Sequence, residues 1–129
     1  MPVIVEQINP LNDEFLRQQV QKLYDSSHEF AYGEQAIQQL DEHLAQGGRY
    51  YAAIFNQRLI GSIWAKQQAT GQILLHYIVV HPANRGRGIA DRLVTEACRL
   101  EQLLGHQHFQ AGCGAIASLL QRHGIGDER

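Results

Sequence analysis

The segment Arg85-Gly86-Arg87-Gly88-Ile89-Ala90 constrains this chain more than any other. Before it stands Ile78-Val79-Val80, a β-branched run that reads as a buried strand. After it, Ile89, Leu93, Ala97, Leu100 and Leu104 recur at helical spacing, and Gly105 closes the helix. Between strand and turn, His81-Pro82-Ala83-Asn84 breaks the ladder, because proline has no N–H to donate. The unit is therefore strand, glycine-rich turn, helix. A helix N-terminus presents unpaired N–H groups and roughly half a positive charge. Gly86 and Gly88 let the backbone approach an anion closely, and Arg85, Arg87 and Arg92 add forked donors. A pyrophosphate is the expected occupant of such a turn.

Two other phosphate patterns fail. GxxxxGK[ST] is absent. GxGxxG fails at the turn, where Asp91 stands in place of the last glycine or alanine. Gly112-Cys113-Gly114-Ala115-Ile116-Ala117 does match GxGxxA. A dinucleotide site also needs a further strand and an acidic residue about 20 positions on, and the sequence runs only to Arg129.

The rest of the chain reads as alternating elements without repeat or linker. Val3-Ile4-Val5 is a first strand. Asn12 is the expected cap of a helix carrying Phe15, Leu16, Val20, Leu23 and Tyr24 on one stripe. A second helix begins near Glu34, with Ile37, Leu40 and Leu44 on one face, and Gly47-Gly48 ends it. Arg49 to Phe55 and Leu59 to Lys66 form a hairpin around Asn56-Gln57, and Gln72 to Val80 is a third strand. Gln107 to Ala111 is a further short strand. Ile116, Leu119, Leu120 and His123 mark a last helix, stopped at Gly124. The order gives an α/β (α+β) mixed sheet with helices on its faces.

Composition narrows the function classes. A length of 129 residues suits one domain, spanning 1–129, and a hydrophobic fraction of 44% supports a core. The formal net charge of −2 argues against a nucleic-acid partner. No run approaches the roughly 20 apolar residues that span a bilayer, so no membrane partner is expected. The N-terminus lacks a signal-peptide pattern, and Cys98 and Cys113 read as reduced thiols; a cytoplasmic location follows as an expectation. Seven histidines are present, but none forms HExxH or pairs with the cysteines at zinc-like spacing, so no metal site is expected.

The stretch from Ile78 to Ala90 resembles the signature of the GNAT acetyltransferase superfamily, an apolar strand followed by [Q/R]-x-x-G-x-[G/A] opening a helix. Arg85, Gly88 and Ala90 occupy its three defining positions. The hairpin from Tyr51 to Gly61 is similar to the family's second and third strands, and Leu119 to Ile125 resembles its "LYEKLGF" ending. The resemblance implies a GNAT-like acyltransferase fold and acetyl-CoA as cofactor. It places the coenzyme pyrophosphate on the amides of Arg87, Gly88, Ile89 and Ala90, with Arg85 and Gly86 nearby. It lays the pantetheine arm along Ile78, Val79 and Val80, with the thioester where this strand and the next parallel strand splay apart. A small-molecule or protein amine would attack the acetyl carbonyl.

Two departures stand out against the family pattern. Leu120 occupies the position of the usual tyrosine general acid and cannot protonate a thiolate whose ordinary pKa is about 8.5. The sequence also runs only a few residues past Ile125, so the fold is expected to be C-terminally shortened, with a homodimer or partner protein completing the sheet edge. The hairpin and the turn are further similar to the acetyl-CoA-sensing maturation factors of aspartate decarboxylase, which also lack the tyrosine. The expected function is thus N-acetyl transfer to an amine, with a non-catalytic sensor acting on a partner such as the decarboxylase proenzyme as the alternative. For catalysis His76 is the expected base, with a pKa suited to neutral pH. Glu29 and Tyr32 lie where the family places its acceptor loop, and Tyr77 is expected to face away from His76.

Overall fold

The computed structural model describes residues 3–27 and 30–125. Its elements are β1 (Ile4–Gln7), α1 (Glu14–Asp25), α2 (Gly33–Ala45), β2 (Arg49–Phe55), β3 (Arg58–Gln67), β4 (Ile73–Val80), α3 (Ile89–Leu103), β5 (Phe109–Ala111) and α4 (Gly114–Arg122), with short 3-10 turns before α1 and α3. The sheet order is β1-β2-β3-β4-β5. The first three pairings are antiparallel, while β4 and β5 are parallel, joined by a crossover through α3. This is the mixed α/β sheet expected from the sequence.

Strand alternation divides the core into two layers. Tyr51, Ala53, Ile63, Ala65, Ile73 and Leu75 face α3 and α4, meeting Leu93, Ala97 and Ile116. Tyr50, Ala52, Trp64 and Val79 face α1 and α2, meeting Val20, Tyr24, Ile37 and Leu40. Asn56 and Gln57 both take positive φ (52° and 65°), as the twist of a two-residue hairpin requires.

Local expectations are corrected in four places. Asp13, not Asn12, caps α1, its carboxylate accepting from the Leu16 amide at 3.1 Å; Asn12 belongs to the preceding 3-10 turn. Phe15 lies outside the buried stripe and is 66% exposed. β5 starts at Phe109 rather than Gln107.

The fourth correction shapes the site. Trp64 pairs with His76 and Ser62 with Val79, so Ile63 alone spans the stretch opposite Tyr77 and Ile78. This is a β-bulge, and Tyr77 takes φ 55° within it. Alternation fails there, and Tyr77 turns to the same face as His76, their rings stacked at 4.2 Å. The bulge is held from α1. The Tyr24 hydroxyl donates to the Tyr77 carbonyl at 2.6 Å and accepts from Trp64 Nε1 at 2.8 Å. Ser62 Oγ lies 2.8 Å from the same hydroxyl. A carbonyl that the bulge removes from the ladder is thereby satisfied in the interior.

Candidate functional site: a glycine turn, an open strand edge and a histidine cleft

The glycine turn is built as the sequence demands. Gly86 and Gly88 both have φ 78°, a left-handed conformation costing a side-chain-bearing residue about 1–2 kcal/mol. Gly88 is the N-cap of α3 and offers no side chain to its amides. The first intrahelical bond runs from Arg92 N to Gly88 O at 3.1 Å, so the amides from Gly88 to Asp91 precede the helical ladder. They open on a cleft of about 240 Å³ between the turn and α4, lined by Arg85, Gly86, Gly88, Ala90, Leu119 and Arg122, among others.

The three arginines do not act alike. Arg85 lines this cleft and donates from Nε to the Val80 carbonyl at 3.1 Å. Arg87 lines a separate hollow of about 190 Å³ beside Val3, Phe55 and Ile60. Arg92, expected to face the anion, donates instead to the Val3 carbonyl at 2.6 Å and fastens the N-terminal segment to α3. The sequence reading missed Arg122, which α4 brings to the cleft. Arg122 and His123 both engage Asp91, Arg122 at 3.3 Å, so the one carboxylate of the cleft lining is matched by the Arg122 guanidinium and a ring nitrogen of His123. Arg122 is 31 positions from Asp91, and no local spacing signals that pairing.

The strand before the turn has an open edge. β5 pairs only with Ile73, Leu74 and Leu75, and the ladder ends in a 2.7 Å bond from Gly112 N to the Leu75 carbonyl. From His76 to Val80 no β5 partner exists among the described residues. A Cβ on Gly112 would stand 2.5 Å from the His76 Cβ, so only glycine permits the strands to touch just before they part. Val80 continues this edge into the turn cleft. Uncapped amides, left-handed glycines, an arginine on each side and an adjoining free strand edge fit a pyrophosphate with an extended, amide-bearing arm.

On the opposite face, α2, β3 and β4 enclose a second cleft of about 240 Å³. His76 and Tyr77 form part of its lining, with Trp64 and Lys66 from β3, and Gln39, Glu42, His43 and Gln46 from α2. His76 Nε2 is buried and has no hydrogen-bond partner. Its pKa is pushed down to about 4, first by burial and then by His43 and Lys66. The expectation of a near-neutral pKa is thus corrected: His76 is a neutral imidazole across the physiological range. His43, whose Nε2 lies 2.9 Å from the Arg49 carbonyl, is also held below its ordinary value, chiefly by burial.

Tyr32 is the N-cap residue of α2, is 57% exposed and is not part of the cleft lining. Glu29 lies outside the described residues. Leu120 is buried at 4% exposure in the apolar layer beneath α4. Among the described residues no three His, Cys, Asp or Glu side chains are placed to hold a metal ion. None of the described helices is long and apolar enough to cross a membrane.

The fold and this strand–turn–helix unit define the class of the protein, an α/β domain with a bare, glycine-capped helix N-terminus beside a parallel strand pair whose ladder ends at Gly112. Its sequence matches the acetyltransferase (GNAT) family over residues 16–119, and the chain belongs to that family. No curated protein matches it. Solved structures share the fold. A GNAT-family protein from Desulfovibrio desulfuricans is 20% identical with TM-score 0.71, over 97% of this chain and 84% of that one. An aminoglycoside 6'-N-acetyltransferase complexed with coenzyme A is 23% identical with TM-score 0.73, over 84% of this chain and 60% of that one. AAC(6')-Iy, in complex with the bisubstrate analogue CoA-S-monomethyl-acetylneamine, is 16% identical with TM-score 0.73, over 100% and 92%.

Proposed function

We propose that the chain binds acetyl-CoA along the Arg85–Ala90 turn and the open edge at Ile78, Val79 and Val80, and transfers the acetyl group to an amine. The observation that carries this reading is the junction of a bare helix N-terminus with a strand whose ladder stops at Gly112. When bound, the coenzyme supplies an acetyl group activated as a thioester. The amides of Gly88, Ile89 and Ala90 hold the pyrophosphate, with Gly86 giving access and Arg85 and Arg122 adding charge. The amine nitrogen forms the new C–N bond as the C–S bond breaks, the electron pair leaves on sulfur, and the proton lost by nitrogen ends on sulfur. Neutral His76 accepts a hydrogen bond from the amine through Nε2, keeping its lone pair directed at the strand splay.

Calorimetric titration with acetyl-CoA and with free CoA tests the reading. Both should bind, and Gly88→Ala, strained at φ 78°, should weaken both by about tenfold. Absence of binding would remove the coenzyme assignment.

A second reading rests on Leu120. With an apolar, buried residue at the position of the family's acid, the chain could read acetyl-CoA without consuming it, as a sensor for a partner such as the aspartate decarboxylase proenzyme. Affinity for acetyl-CoA well above that for CoA, with thiol release at background for every amine, would favour the sensor. Comparable affinities with amine-dependent release favour the enzyme.

A further inference from the structure

We propose that the cleft between α2 and the bulged β4 is the acceptor site and takes a small zwitterionic amine, an amino acid or close analogue, its carboxylate at Lys66 and its amine at His76. This rests on the acetyltransferase reading above and names the substrate class within it.

Position is the first argument. His76 forms part of the cleft, and its Cβ faces Gly112, where β5 leaves β4. The inner end of the cleft therefore adjoins the splay that receives the thioester. The bulge creates this arrangement by turning both His76 and Tyr77 into the cleft. An unpaired buried nitrogen is a costly group that a ligand N–H would satisfy, and His76 Nε2 is such a group.

Charge is the second argument. Glu42 and Lys66 are the formally charged side chains of the lining, one of each sign. The Lys66 ammonium has a contact of 3.5 Å to Gln46 Oε1 at the surface, which leaves it donors for a carboxylate. Burial keeps His43 and His76 neutral, so neither adds positive charge against an incoming ammonium. A polycation would meet Lys66 without an excess of carboxylates to offset it, whereas a zwitterion meets one partner for each charge.

Size is the third. A cleft of about 240 Å³ accommodates one amino acid.

The test uses the purified chain with acetyl-CoA and follows thiol release against each common amino acid, its decarboxylated amine, and a polycationic aminoglycoside. Trp64, the single tryptophan of the chain, lines the cleft, so its fluorescence in the presence of CoA reports acceptor binding independently of turnover. At least one amino acid should change the fluorescence and be acetylated, and loss of its carboxylate should raise KM by about tenfold or more. Lys66→Met should raise KM for that amino acid to a similar degree, change kcat by less than about twofold, and narrow the gap in KM between the amino acid and its decarboxylated amine. Equal or better kcat/KM for the aminoglycoside or the decarboxylated amine would overturn the proposal, as would silence of both readouts for every amino acid. Calorimetry on the same sample separates these failures. If acetyl-CoA binds and another of the amines is acetylated, only the acceptor assignment falls; if it binds and no amine is acetylated, the sensor reading replaces the enzyme; if it does not bind, the coenzyme assignment falls first.

Discussion

His76 shows how one side chain changes meaning with its surroundings. In isolation a histidine titrates near 6.5; here burial, then His43 and Lys66, bring the value to about 4. The unfolded chain therefore binds more protons than the folded one between these values, and folding stability rises with pH across that window. The contribution is present in full above about 6.5 and is lost as pH falls towards 4. Because the ring is partly open to solvent, about 1 kcal/mol should disappear between pH 7 and pH 5. Urea unfolding at the two pH values checks this: His76→Asn should lose less stability over the interval than the parent chain. The sequence identified the residue, but burial and neighbouring charge are properties of three elements together, so its titration was misjudged.

At the scale of elements, the contact between β4 and β5 decides where the open edge begins. Gly112 is the last point of contact, its amide bonded to the Leu75 carbonyl and its Cα facing His76. A methyl group there would lie 2.8 Å from that carbonyl oxygen and 2.5 Å from the His76 Cβ. Gly112→Ala should push the strands apart and destabilise the chain by about 2–3 kcal/mol. Hydrogen exchange at residue 112 should quicken in the variant, and denaturant unfolding measures the loss. In sequence this glycine looked like part of a GxGxxA pattern; packing assigns it a close approach of two strands. The bulge is a similar case. Period-two alternation placed Tyr77 opposite His76, yet registration of β4 against β3 leaves one residue more on β4, and the alternation slips by one.

For the whole molecule, a buried ionic knot links the start of β2 to the end of α3. Glu101 is fully buried. Its carboxylate accepts from Arg49 Nη2 at 2.8 Å, from Arg49 Nε, and from the Tyr51 hydroxyl; His106 Nε2 lies 3.7 Å away. Removing one member leaves the others desolvated and unpaired. Glu101→Ala should therefore destabilise the fold by about 3–5 kcal/mol, with Glu101→Gln losing less because it keeps hydrogen-bonding capacity. Thermal or urea unfolding of both variants distinguishes them. The knot lies at the α3 C-terminus, away from the turn, so calorimetric affinity for acetyl-CoA should hold in whatever fraction remains folded.

What the sequence alone determined is whatever a few neighbouring residues control. The strand–turn–helix unit, the left-handed glycines, the Asn56-Gln57 hairpin and the helical stripes are local, since steric limits on φ and a fixed residue period act within one turn or one strand. The expected positions Arg85 to Ala90 accordingly sit together at one helix end. Tertiary structure decided the rest. It diverted Arg92 to Val3 and Arg87 to another hollow, supplied Arg122 from α4, turned Tyr77 beside His76, and gathered His43, Trp64 and Lys66 into the second cleft. Each of these depends on partners many residues away, set by sheet register and by helices packing on opposite faces, and no pattern within a short window of the chain encodes such a meeting.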